Sequence, residues 1–136
     1  MKTITKWKEG MTFESHSGTH TINIDTSKKA GGNDSGFNSK ALLLSSLAGC
    51  TAMDVVSILM KMRIEFSNFQ IEVEAEQTDE DPRVFKDFNI IYRLKTHPSN
   101  REQVKKAVDL SMDKYCGVSA MLKKHATIYY KIIIEE

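Results

Sequence analysis

From Ala41 to Met62 the chain runs through Leu42, Leu43, Leu44, Leu47, Ala48, Ala52, Met53, Val55, Val56, Ile58, Leu59 and Met60, with Asn38 or Ser39 in place to cap a helix. The apolar side chains go nearly all the way round the axis. Such a helix is expected to be buried on most sides. The chain has 136 residues, enough for one domain, so the expectation is a single domain over 1–136. In a domain this small, the helix must be central or must pack on a partner subunit. It is not read as a membrane span. No run of about 18 uncharged apolar residues exists, and Asp54 and Lys61 bound its most apolar part.

The flanking segments have other periods. Ile4 to Glu9, Met11 to Ser15 and Ile22 to Ile24 alternate as short strands, separated by turns at Glu9-Gly10 and Ser17-Gly18. Thr26 to Phe37 is rich in Gly, Ser, Asn and Asp and is read as a mobile loop. After the long helix, Phe69, Ile71, Val73 and Ala75 alternate with Gln70, Glu72, Glu74 and Glu76. Phe88, Ile90, Tyr92 and Leu94 then share one face of a second strand, and Arg93 and Lys95 are expected to pair across with those glutamates. His97-Pro98-Ser99 opens a second helix to about Cys116, with Val104, Ala107, Val108, Ser111, Met112 and Tyr115 facing inward. Gly117 interrupts it, a short helix follows through Ala120 to Lys124, and Thr127 to Glu136 is a strand. The order βββ–α–ββ–α(α)–β is an α+β pattern.

Composition narrows the function. Nineteen basic and eighteen acidic side chains give a net charge of +1. Phosphate-backbone and anionic-membrane binding both rest on a basic excess, so neither nucleic acid nor membrane is an expected partner. The N-terminus carries charge without an apolar block behind it, which is no secretory signal, and a cytoplasmic location is expected. His16, His20, His97 and His125 are scattered without zinc spacing and read as surface residues, so no metal is expected. Gly31-Gly32 lacks the context of a phosphate loop.

Two residues carry chemistry, Cys50 and Cys116. Each has a plain reading as a small buried hydrophobe. Together they also read as a pair, one attacking thiolate and one resolving thiol that closes a disulfide. Cys50 follows Gly49 inside the long helix, where glycine costs about 1 kcal/mol relative to alanine. That glycine implies close approach of a substrate or backbone, or tight helix packing.

The stretch Ala41-Leu42-Leu43-Leu44-Ser45-Ser46-Leu47-Ala48-Gly49-Cys50-Thr51-Ala52 resembles the first cysteine helix of the OsmC/Ohr family, the osmotically inducible and organic-hydroperoxide-resistance proteins. Ala107 to Val118, ending Lys114-Tyr115-Cys116-Gly117-Val118, resembles its second cysteine segment. The element order matches too, so the resemblance covers nearly the whole chain. It implies an OsmC-like fold in an intertwined homodimer with the long apolar helices at its centre. It also implies a mechanism without metal or organic cofactor. Cys50 would attack an organic hydroperoxide and become a sulfenic acid, Cys116 would condense with it, and an external dithiol would reduce the disulfide. The ligand is expected to be a small organic hydroperoxide or another apolar molecule, held in an apolar interface pocket.

The chain departs from the active branches at two points. They carry an arginine in the N-terminal strand region, whereas the first arginine here is Arg63. They carry a glutamate upstream of the first cysteine, where this chain has Lys40 and Ala41. Lys28 or Lys29 would supply charge but not a guanidinium fork. The likeness is therefore closer to the uncharacterised OsmC-like branch. The alternative function is a non-catalytic small-molecule-binding or stress-associated dimer.

Overall fold

The computed structural model describes residues 1–136, which divide into two compact units, Met1–Leu43 and Leu44–Glu136. In the first unit, β1 (Ile4–Glu9), β2 (Thr12–Ser17) and β3 (His20–Ile24) form an antiparallel sheet in chain order. Gly10 and Gly18 take φ of +52° and +58° at the two turns, which side chains rarely adopt.

The loop after β3 differs from its expectation. It is gathered around one buried carboxylate, Asp25. Asp25 accepts hydrogen bonds from Ser35 Oγ at 2.6 Å, Thr26 N at 2.7 Å and Thr12 Oγ1 at 2.9 Å, and from the amides of Ser35 and Asn33. These donors, the Ser35 hydroxyl and Thr26 amide first, hold its carboxyl well below the usual carboxylate range. Phe37 closes the loop by exchanging backbone bonds with Asn23 and Asp25 at 3.1 and 3.0 Å.

Gly32 is the tightest point of this loop. A Cβ there would stand 2.2 Å from the Thr26 carbonyl oxygen and 2.6 Å from Asp25 Oδ1. Gly32→Ala is expected to destabilise this unit by about 1–3 kcal/mol, as overpacking does. The check is limited proteolysis, which should shift to cuts within residues 26–37. The wild-type loop should resist acid. A carboxyl depressed on folding contributes stability above its unfolded pKa and loses it only as pH falls through the lower folded value. Cleavage of the wild-type loop should therefore stay slow until well below pH 4.

The helix α1 (Ser39–Lys61) starts at the end of the first unit and runs into the second. The second unit continues with β4 (Ser67–Gln77), β5 (Phe85–Lys95), α2 (Arg101–Leu110), α3 (Gly117–Leu122) and β6 (Ile128–Glu135). The sheet order is β4-β5-β6, with β4 antiparallel and β6 parallel to β5. As the middle strand, β5 buries Phe88, Ile90, Tyr92 and Leu94, the face read from its alternation. The charges on the other face pair differently from the expectation. Lys86 does reach Glu76 of β4, at 3.8 Å, but Arg93 reaches Glu135 of β6, at 3.5 Å. The register explains this, since Arg93 stands opposite Gln70 rather than a glutamate.

Within this chain α1 is not buried on most sides. Leu47, Thr51, Val55 and Leu59, spaced by four, are fully buried, while Met53 and Met60 are 76% and 66% exposed. By length and composition alone α1 is long and apolar enough to cross a membrane. Here it packs one stripe into the core with α2 and β5 and leaves the other open.

The second helix does not run straight to Cys116. After α2 the chain widens into a π turn over Ser111–Tyr115, in which the Cys116 amide donates to the Ser111 carbonyl at 2.8 Å. Lys123 Nζ donates to the Met112 carbonyl within this turn at 2.6 Å. The extra residue changes the phase of the helix. Tyr115, read as inward-facing, is 52% exposed, with Lys114 Nζ 5.2 Å from its ring centroid, and Cys116 turns inward instead.

Candidate functional site

Cys50 and Cys116 come from different elements and meet. Cys50 is half-buried on α1, and Cys116 is 3% exposed at the start of α3. Both are free thiols; Cys50 packs against the core cluster that contains Cys116, and the two are electrostatic neighbours. The apolar periodicity of α1 sets the angle of Cys50, next to the buried residue Thr51. The π turn sets the angle of Cys116.

Burial pushes the Cys116 thiol above its ordinary value. Hydrogen bonding from Ser119 works the other way, since the Ser119 amide donates to Cys116 Sγ at 3.3 Å, and the neighbouring Cys50 thiol adds to the upward push. In a Cys50→Ser variant, alkylation of Cys116 should therefore rise with pH along a curve whose midpoint lies above that of a free cysteine. Rates with iodoacetamide across pH 6–11 would show it. A midpoint at or below the ordinary thiol value would contradict the burial argument.

Gly49 faces open space. A Cβ at Gly49 would meet nothing within 4 Å, so no backbone or helix of this chain packs against it. Of the two expectations for this glycine, tight helix packing within the chain does not hold. The space is open to another molecule.

Sequence reasoning missed a chain of hydroxyls beneath the cysteines. Thr51 Oγ1 lies 2.7 Å from both Tyr92 Oη and Ser111 Oγ, and Ser111 donates to Asp54 Oδ2 at 2.9 Å. Each hydroxyl has one hydrogen, which fixes the direction throughout. Ser111 spends its hydrogen on Asp54 and must accept from Thr51. Thr51 then accepts from Tyr92. Desolvation raises the Tyr92 phenol far above its usual value, so it keeps the proton this arrangement asks it to donate. The available signal was a threonine on the most apolar helix and a serine on an apolar helix face, each placed to be buried.

The histidines are engaged elsewhere. His16 pairs with Glu14 and Thr21, His97 Nδ1 accepts from the Ser99 amide, and the His125 ring bonds the Phe85 carbonyl at 2.6 Å. His20 is exposed.

The chain is similar to known proteins in sequence and in fold. The family model described as OsmC-like protein matches residues 31–131. Protein YhfA of Escherichia coli strain K12 is 36% identical over 130 residues, covering 94% of this chain and 93% of that protein. The crystal structure of an OsmC-like protein from Mycoplasma pneumoniae superposes with a TM-score of 0.85 at 16% identity, over 99% of this chain and 96% of the other. The organic hydroperoxide resistance protein OsmC from Legionella pneumophila superposes with a TM-score of 0.68 at 15% identity, over 98% and 97%. These two likenesses speak to the fold, and they match the α+β element order read from the sequence. With a family match over most of its length and a relative at this identity, the chain belongs to the OsmC-like protein family.

Proposed function

We propose that this protein is a thiol-dependent redox protein that reduces organic hydroperoxides through Cys50 and Cys116. The observation that carries the reading is that Cys50 packs against the core cluster that contains Cys116, as its electrostatic neighbour. The partial exposure of Cys50, on a helix that is open at Gly49, supports it by leaving the thiol within reach of a substrate. Hydroperoxide resistance is the described role of the Legionella relative of this fold.

The cycle has three steps. The Cys50 thiolate attacks the distal oxygen of the hydroperoxide. The O–O bond breaks, Cys50 becomes a sulfenic acid, and the alkoxide takes a proton and leaves as the alcohol. The Cys116 sulfur then displaces the sulfenic hydroxyl, forming the S–S bond, and the Cys116 proton leaves with that hydroxyl as water. An external dithiol reduces the disulfide and is itself oxidised. The chain has no arginine before Arg63, so lysines are the only strong bases N-terminal to Cys50 and the first step is expected to be the slow one.

The protein acts as a homodimer in this reading. The open stripe of α1, with Met53 and Met60 one heptad apart, is the surface a second copy would cover. A reducing compartment such as the cytoplasm fits a cycle that starts from two free thiols.

The test counts free thiols before and after one equivalent of cumene hydroperoxide. Loss of both thiols per chain, reversed by a dithiol, is the expected result. Retention of both thiols overturns the peroxidase reading and turns attention to the alternative, a dimer that binds an apolar molecule without reacting with it.

A further inference from the structure

The hydroxyl chain beneath the cysteines touches both of their backbone anchors. Thr51 directly follows Cys50 on α1. Ser111 holds the Cys116 amide through its carbonyl, at 2.8 Å, across the π turn. The 2.7 Å bond between the two hydroxyls therefore ties the α1 turn that carries Cys50 to the π turn that carries Cys116. Thr51 and Ser111 are both fully buried, and no buried side-chain polar atom here lacks a partner. Asp54 anchors the chain at one end and the buried Tyr92 phenol at the other. Without the Thr51 hydroxyl, the Tyr92 proton and a Ser111 lone pair would each lose a buried partner, a penalty that is relieved by moving the two segments apart.

We propose that the Thr51–Ser111 hydroxyl pair, anchored by Asp54 and Tyr92, is a positioning device that sets how readily Cys50 and Cys116 close to a disulfide. The inference rests on the paired-thiol part of the proposed function and not on hydroperoxide as the oxidant. Neither residue reacts. They hold the register between two segments whose sulfurs must approach along the line of the new bond.

The test uses diamide, which oxidises the pair without a hydroperoxide. The two thiols give up two protons and two electrons to its N=N bond, which becomes the hydrazine, and one S–S bond forms. Thr51→Val keeps the shape and removes the hydroxyl, and Thr51→Ser keeps the hydroxyl. Thr51→Val should close its disulfide about tenfold or more slowly than wild type, as small misplacements of reacting atoms do. Its dithiol–disulfide equilibrium against glutathione should shift toward the dithiol by about tenfold. Thr51→Ser should stay within about twofold of wild type, and Ser111→Ala should follow Thr51→Val. In a Cys116→Ser background, alkylation of Cys50 should be unaffected by Thr51→Val, which separates pairing from access. Wild-type closure rate and equilibrium in Thr51→Val would overturn the proposal, as would a Thr51→Ser variant as slow as Thr51→Val. A wild type that closes with diamide but ignores cumene hydroperoxide leaves this inference standing and removes the peroxidase reading. A wild type that keeps both thiols in diamide overturns the inference itself.

Discussion

Cys50→Ser should abolish hydroperoxide turnover, by at least about a thousandfold, as loss of a covalent nucleophile does. Serine is close in size to cysteine, so the half-buried site on α1 keeps its packing. What disappears is the polarisable thiolate that attacks the peroxide oxygen, since a serine hydroxyl is hardly ionised near neutral pH. Cys116→Ser should behave differently. One thiol, Cys50, should still be consumed by the first equivalent of hydroperoxide. No disulfide should form, and the sulfenic acid should be trapped by dimedone. Thiol counts and intact mass on the three proteins would give this pattern directly. Full turnover in Cys50→Ser would sink the proposed cycle whatever the other variant did.

The second large effect separates the two faces of α1. Leu59 is fully buried in the core, and Leu59→Ala should cost about 2–5 kcal/mol through lost burial and the cavity left behind. Met53 is 76% exposed in the single chain, so Met53→Asp should leave the folded chain close to wild-type stability. In a homodimer built on the open stripe, that same aspartate would be desolvated without a partner, and the dimer should dissociate at micromolar concentration. Chemical denaturation reads the first effect and analytical ultracentrifugation the second. A Met53→Asp protein that sediments as a dimer would place the subunit contact elsewhere.

The alternation of β5 was plain in the sequence because its buried face is uniformly apolar and a period of two admits no other assignment. The long apolar helix was equally plain, but its surroundings were not. Composition cannot tell a helix enclosed by its own chain from one with a bare flank, and α1 is the latter. The order within residues 26–37 was hidden for another reason. It comes from a single carboxylate, Asp25, reaching backbone amides up to ten residues away, and such bonds leave no periodic trace. The π turn before Cys116 was the costliest omission. One extra residue in the helical ladder leaves no mark in the sequence, yet it turns Tyr115 outward and Cys116 inward. Both cysteines stood out as residues. Their adjacency depends on that turn.

The parallel pairing of β6 with β5 has a consequence for the order of events during synthesis. The hairpin of β4 and β5 closes over a short connection, whereas β6 lies beyond α2 and α3 and is the last of these three strands to be made. Its register, from Phe88 opposite Ile128 to Lys95 opposite Glu135, forms only after some forty residues of intervening chain have been made. Until then β5, which ends as the innermost strand of its sheet, waits with one row of amides and carbonyls bare. A growing chain is thus most prone to stick to its neighbours in the interval when β5 has formed and β6 has not yet paired with it.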